Sequence, residues 1–371
     1  MIVLGVETSC DETSAAVVAD GRIVLSSVVS SQFDLHAAHG GVVPELAARR
    51  HVTAIVPVIE RSIADAGIER SDIDVIAVTQ GPGLAGSLVV GMNAAKAMAY
   101  ALRRPLVAVN HLEAHIYANW LEQDKATYAP PAFPLLCLVV SGGHTELILM
   151  SGHGNYRHLG QTLDDAAGEA FDKGARLLGL GFPGGPAIEA AAKAGDATAH
   201  PLPRAWLPGT HDFSFSGLKT ALLRATEPYR RPDAGDDIDQ NSTGKQTGPF
   251  RTHRTPLFAE DAPIADLAAS FQEAIVEPLA VKSASAAREY QPATIALAGG
   301  VSANTALRKR LLSEIAGHYR PDADVVFPAL RYCTDNAAMV AGAASWVIRR
   351  GDQVGWEADV FPRLALTGIP R

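Results

Sequence analysis

The sequence predicts a mixed α/β protein built as two similar lobes around a central cleft. Three observations lead there: a length of 371 residues, an order of strands and helices that occurs twice, and a proline cluster between the two occurrences. A chain of this length exceeds what one hydrophobic core usually organises, so about two domains are expected. Near the start, apolar IVLGV leads through the polar turn ETSCDET into SAAVVA, and Asp20-Gly21 turns the chain into RIVLSSVV. This is the pattern of three strands joined by tight turns. PELAARRHVTAIVPVIERSIADAG follows with helical spacing, Pro44 suiting a first turn and Gly67 a stop. The buried strand IDVIAV, a helix from about Ser87 to Arg103 and the short strand LVAV complete the first pass.

Around residue 124 the texture turns polar and then proline-rich at Pro130, Pro131 and Pro134, which marks a boundary. Beyond it LLCLVV, the turn SGGHT, ELILMS and YRHLG open the second half with three strands again. DDAAGEAFDKGARLLGL is the next helix, and TIALAG, ANTALRKRLLSEIAG, ADVVF and TDNAAMVAGAASWVIRR then alternate strand and helix. Both halves read as a mixed sheet with helices on its faces. The first lobe is expected over residues 1–125 and the second over 126–371, with the last helix packing back on the first lobe. Residues 228–258 have almost no apolar periodicity and bury too little to offset their ordering entropy, so a mobile surface insertion is expected there.

Composition excludes several classes. With 47% hydrophobic and 19% charged residues the chain reads as a well-buried globule, not a disordered one. MIVLGVETSCDET has no basic n-region, and no apolar run reaches bilayer-spanning length, so neither secretion nor a membrane is expected. Cys10, Cys137 and Cys333 show no C-x-x-C spacing and cannot all pair, which suits a reduced cytoplasm. A net charge of −8 repels polyanions, so a nucleic-acid partner needs a local basic surface. Arg49-Arg50-His51, Arg103-Arg104 and Arg308-Lys309-Arg310 are candidates, and each is equally the composition of a solvated helix face or end.

In open α/β sheets ligands gather beyond the carboxyl ends of strands. ETSCDET falls there, and its acids and hydroxyls, Asp11 and Glu12 among them, suit a phosphate-bound metal or proton transfer, although any hairpin turn is polar. SGGHT bares backbone N–H groups at Gly142 and Gly143, as a phosphate cradle or simply a tight turn. AGGVSANTAL sets two glycines between a buried strand and a helix N-terminus, which favours an anion or nucleotide. Neither G-x-G-x-x-G in that position nor G-x-x-x-x-G-K-[ST] occurs, which disfavours a dinucleotide fold and a P-loop. Asp165, Glu169 and Asp172, at i, i+4 and i+7, predict one acidic helix face beside Lys173, and the bend Gly179 to Gly185 lets backbone approach a flat ring.

HLEAH places His111 and His115 about 40° apart on a helix, close enough to share one ion. A zinc protease needs H-E-x-x-H, whereas Glu113 points about 200° from His111, so that reading fails. Two satisfied structural histidines remain the alternative to a metal pair. Asp335, in YCTDNAAM at the start of the last helix, is the best third ligand, because the repeat sets that helix start at the same crevice. Two imidazoles and a carboxylate with open positions suit Fe²⁺ or Zn²⁺.

VETSCDET, HLEAH, VVSGGHTEL, DDAAGEAFDKGARLLGLGFPGGP, FSFSGLKTA, LAGGVSANTALR and CTDNAAM stand in the order of the TsaD family. The chain resembles these tRNA N(6)-adenosine threonylcarbamoyltransferases over nearly its whole length, apart from the 228–258 insertion. The resemblance implies the duplicated actin/Hsp70-like fold and a cytoplasmic enzyme. Such an enzyme transfers the threonylcarbamoyl group of threonylcarbamoyl-AMP to adenosine 37 of tRNAs reading codons that begin with A, and releases AMP. It further implies one divalent metal, iron before zinc, on His111, His115 and Asp335. Val139, Val140, Ser141, Gly142 and Gly143 would bind the adenylate, with Asp172 on the ribose, Gly185 by the base and Asn304 on the nucleotide. Asp11 and Glu12 match residues that assist activity, Glu12 as general base. Expected partners are tRNA, an inactive paralogous TsaB-like subunit and a small TsaE-like ATPase. A sugar kinase or carbamoyltransferase of the same fold leaves the histidine pair unexplained, and a chaperone-like nucleotide-binding module predicts no change to tRNA.

Overall fold

The computed structural model describes residues 1–122, 129–231, 255–352 and 354–366. Strands β1 (Ile2–Glu7), β2 (Glu12–Ala19), β3 (Ile23–Ser31), β4 (Val75–Gly81) and β5 (Leu106–Asn110) form one sheet in the order β3-β2-β1-β4-β5. Strands β6 (Leu135–Val140), β7 (Thr145–Gly152), β8 (Asn155–Gln161), β9 (Thr294–Ala298) and β10 (Asp324–Val326) form a second, ordered β10-β9-β6-β7-β8. In each sheet the first three strands pair antiparallel and the last two add in parallel. The order that occurs twice in the sequence is thus one sheet topology built twice.

Ten helices are described: α1 (Phe33–Ala37), α2 (Pro44–Ala66), α3 (Ala85–Leu102), α4 (His111–Tyr117), α5 (Ala167–Leu177), α6 (Gly184–Ala192), α7 (Ser216–Thr226), α8 (Ile264–Tyr290), α9 (Thr305–His318) and α10 (Ala337–Arg349). Helix α2 starts at Pro44 and stops at Gly67, whose φ of 66° provides the left-handed cap the sequence predicts. Helix α5 begins later than its sequence pattern suggests. Asp164 stays outside it and accepts the N–H groups of Phe215 and Ser216 at 2.8 and 3.2 Å, so this acid anchors the FSFSG segment instead of a helical turn.

The period-2 alternation of the strands divides the core into layers. Leu4, Val6, Ile76 and Val78 face Ile55, Ile59 and Met92 of α2 and α3. In the second sheet Leu136, Leu138 and Leu297 face Phe171, Phe271 and Ile275 of α5 and α8. The opposite faces of both sheets share one core, where Val3, Ala16 and Val107 meet Cys137, Val139 and Ile148 through Leu112 and Ile116 of α4 and Met339 and Val340 of α10. Full burial of side chains such as Leu112 and Ile116 contributes about 1.5–3 kcal/mol each. Helices α4 and α10 therefore form a rigid middle layer, and α10 packs on β1 and β2. The expected boundary near 125 and residues 232–254 of the expected insertion lie outside the described residues. At the insertion's flanks, Arg230 bridges antiparallel to Phe258.

Candidate metal and nucleotide site

The short helix α4 exists because Asn110 caps it, its Oδ1 accepting the N–H groups of Leu112 and Glu113 at 2.8 and 3.3 Å. The helix leaves the carboxyl end of β5 and is buried along its whole length. His111 and His115 share one side, ring centroids 4.6 Å apart. Glu113 turns to the other side, accepting the Tyr156 hydroxyl at 2.6 Å and lying 3.5 Å from Arg350. It therefore braces the back of α4 and takes no part in water activation.

Asp335 lies just ahead of α10, where Asn336 caps the helix through the N–H of Met339. Its Oδ1 is 3.1 Å from His115 Nε2 and 3.5 Å from His111 Nε2, and the three ligand atoms lie within 4.8 Å of one another. Two nitrogens and one oxygen converging with the rest of the coordination sphere open match the donor set of a 2-His-1-carboxylate cation site. The electrostatics also fit a dication. His111 is raised to about 9: burial alone would lower it, but the Asp335 and Glu7 carboxylates overcome that. Asp335 is held down at about 2, chiefly by His111 against the opposing effect of burial. The carboxylates of buried Glu7 and half-buried Asp335 face the two imidazoles, and a dication among them would neutralise the cluster.

Around this cluster the structure gathers the loops singled out in the sequence. The SGGHT turn is closed by Ser141 N–H donating to His144 O at 2.8 Å and is seated on α5 by Gly168 N–H donating to Ser141 O at 3.2 Å. A side chain at Gly168 would strike Ser141 O and approach Gly142 N to 2.8 Å, so only glycine permits this seat. Gly142 and Gly143 are exposed with nothing within 4 Å of a Cβ, while Val139 and Val140 are fully buried and offer a ligand only backbone. His144, in this turn, feels the charges of His111, His115 and Asp335. The glycine turn after β9 rests on the base of this loop, since Gly299, at φ +85°, faces Val140 O. Asn304 then caps α9 through Leu307 N–H at 2.9 Å and donates to Gln272 Oε1 at 2.9 Å, leaving its second amide hydrogen for a ligand.

The acidic face expected on α5 is split. Lys173 binds Asp165 at 2.7 Å and Glu169 at 3.0 Å, whereas Asp172 accepts the N–H of Gly184 at 2.7 Å, beside Gly185. Asp172 leaves the group because its carboxylate is drawn to the Gly184 N–H, a partner outside the helix that helical spacing does not reveal. Burial pushes Asp172 up to about 6 despite the Gly184 N–H and Arg176. Its fold-dependent preference is for the neutral form, present at acid pH and lost as pH rises through about 6. Ionisation then costs up to about 3 kcal/mol, two units at about 1.4 each. Asp172→Asn, which keeps the acceptor for Gly184, should raise unfolding free energy near pH 8 by about 2–3 kcal/mol and leave it unchanged near pH 4. Urea titrations at the two pH values check this, and equal stability at pH 8 would contradict it.

Asp11 and Glu12 lie nearly buried at the end of the first turn. Burial, then Asp335, then Asp11 push Glu12 well above the usual carboxylate range, and burial and Asp335 also raise Asp11, whose Oδ2 has no partner among the described residues. Two further groups enter the site: Gln272, absent from the sequence reading, and Glu7, the first acid of the ETSCDET turn. Gln272 reaches Asn304 from α8, and Glu7 reaches His111 from the end of β1. Glu7 stands in ETSCDET, so its position at a strand end was the available signal.

The duplicated sheets define a protein of the actin/Hsp70-like ATPase fold, and its His111, His115 and Asp335 form a group that could hold a metal ion. Full-length HypF, in a phosphate- and nucleotide-bound form, matches 94% of this chain and 46% of its own at 12% identity, TM-score 0.56. The (R)-2-hydroxyglutaryl-CoA dehydratase component A of Acidaminococcus fermentans matches 94% and 98%, TM-score 0.51, also at 12% identity. Both likenesses concern the fold. A family model described as tRNA N6-adenosine threonylcarbamoyltransferase matches residues 23–342. Proteins of that name from Thermomicrobium roseum and Bacillus subtilis are 58% and 46% identical, over 99% of this chain and 97% and 96% of theirs. The chain belongs to the TsaD family.

Proposed function

We propose that this protein transfers the threonylcarbamoyl group of threonylcarbamoyl-AMP to the exocyclic amine of adenosine 37 in tRNAs reading codons that begin with A. The observation that carries this reading is the three-ligand cluster, which acts electrostatically on His144 of the SGGHT turn, so that an adenylate held on the turn would present its acyl end to the cluster. The amine nitrogen bonds to the carbamoyl carbon, the bond from that carbon to the phosphate oxygen breaks, and AMP departs with the electron pair. Gly142 and Gly143 donate N–H groups to phosphate or carbonyl oxygens as charge develops. Asp172 accepts from the ribose hydroxyls, and Asn304 offers its spare amide hydrogen to the nucleotide. Asp11 and Glu12, both pushed up by burial and by the Asp335 carboxylate, are the acids available to assist, Glu12 as the general base for the proton leaving the amine. His111, His115 and Asp335 would hold a divalent cation, Fe²⁺ before Zn²⁺, which supplies Lewis-acid polarisation of the carbonyl or departing phosphate.

The reading includes an inactive paralogous subunit and a small ATPase as partners. Val52 and Val56, one turn apart on α2 and 62% and 61% exposed, form the kind of apolar stripe a helical partner covers. It also places the work in the cytoplasm, consistent with the free thiols of Cys10, Cys137 and Cys333. Among the described residues no helix is long and apolar enough to cross a membrane. A sugar kinase of the same fold gives the cation cluster no role. The test is mass spectrometry of nucleosides from tRNA incubated with the protein, its partners, threonine, bicarbonate and ATP. Threonylcarbamoyladenosine is expected, and its absence from a complete reaction would overturn the reading.

A further inference from the structure

The two histidines of α4 are not held alike. His115 Nδ1 is buried without a partner among the described residues. His111 Nδ1 lies 3.2 Å from Glu7 Oε2 and 3.2 Å from Ser9 Oγ. Glu7 is fully buried at the carboxyl end of β1. Its Oε2 also accepts the Thr79 hydroxyl from β4 at 2.6 Å, and its Oε1 accepts Ser9 N–H at 2.5 Å. Those donors lock the carboxylate in one orientation, since turning it would strand Thr79 and the Ser9 amide in an apolar interior. What remains of Oε2 faces the His111 ring.

We propose that Glu7 is a positioning residue for the cation site: it accepts the Nδ1–H of His111, fixes that tautomer, and aims Nε2 at Asp335. An imidazole has one lone pair to give a cation, and it is on Nε2 only when the proton is on Nδ1. A carboxylate beyond the ring enforces this and makes the ligand nitrogen more basic. The asymmetry assigns the two ligands different parts. His111 is the preset ligand, locked to the first sheet through β1 and β4. His115, without a brace, is the one that adjusts its ring to the cation. The inference rests on the cation-site reading above.

The test is Co²⁺ titration of the metal-free full chain, followed by visible absorption, with wild type, Glu7→Gln, Thr79→Val and His115→Ala. Glu7→Gln keeps the volume but removes the charge, and should bind Co²⁺ about 10–100-fold more weakly with shifted ligand-field bands. Thr79→Val leaves Glu7 in place but frees its Oε2, and should weaken binding by a few-fold, so the inference stays testable should Glu7→Gln fail to fold. His115→Ala should lose the bands altogether. Wild-type affinity and spectrum in folded Glu7→Gln, or in Thr79→Val, would overturn the role of Glu7 while leaving the ligand set standing. No Co²⁺ binding by wild type would overturn the cation site itself and this inference with it.

Discussion

Asp335→Ala is expected to abolish bound metal and threonylcarbamoyl transfer together. Its Oδ1 is the meeting point of both Nε2 atoms, so removing it leaves two imidazoles on one helix without the anionic ligand that closes the set. The loss is more than one bond. Asp335 also pushes up Asp11 and Glu12, so its removal alters the acids of the first turn as well. Lewis-acid stabilisation of several kcal/mol corresponds to a rate loss on the order of a thousandfold. Elemental analysis of the purified variant and a tRNA modification assay measure the two effects on one sample. Wild-type metal content with lost activity would show that Asp335 is not a ligand.

Gly168→Ala should leave the metal in place and disable the nucleotide loop. The added methyl meets the backbone of Ser141 and Gly142, which cannot swing aside as a flexible side chain can. Either α5 or the turn must move, at a cost of about 1–3 kcal/mol in stability. A displacement near 1 Å of the groups that orient an acyl donor costs about a hundredfold in kcat/KM. The signature is the split: metal content as in wild type, with KM for threonylcarbamoyl-AMP raised. A variant with unchanged KM would mean that the turn does not seat the adenylate.

Much of this was legible in the sequence because it is local. HLEAH on a capped helix, the strand-end glycine turns and Gly67 after a helical run each follow from a few neighbouring residues. The duplicated order of strands and helices made the sheets legible too, since alternation and turn residues repeat in both halves. The pairing of His115 with Asp335 spans 220 positions and was reachable only through that duplication. The turn that holds Glu7 was legible, but its contact with His111 was not. One more acid in a polar turn looks solvated, and only the fold shows it buried beneath His111 with two other donors. Helix α8 was similarly quiet, because most of its 27 residues are buried among other elements and no single polar face marks its period. The expected acidic face of α5 divided because Asp172 turns to the N–H of Gly184, while Asp165 and Glu169 stay together on Lys173.

The position of α10 bears on when this protein becomes whole during its synthesis. Strands β1 and β2 are made first, yet part of the layer that covers their inner face, along with Asp335, is not translated until more than three hundred residues have been added. At about 5–20 residues per second, the first sheet leaves the ribosome tens of seconds before α10 follows. During that interval Val3, Ala16 and Val107 lack the Met339 and Val340 side chains that later cover them. The nascent first sheet should therefore be a substrate for chaperones that shield apolar surface, released when the last helix docks and brings Asp335 to His111 and His115 in the same event.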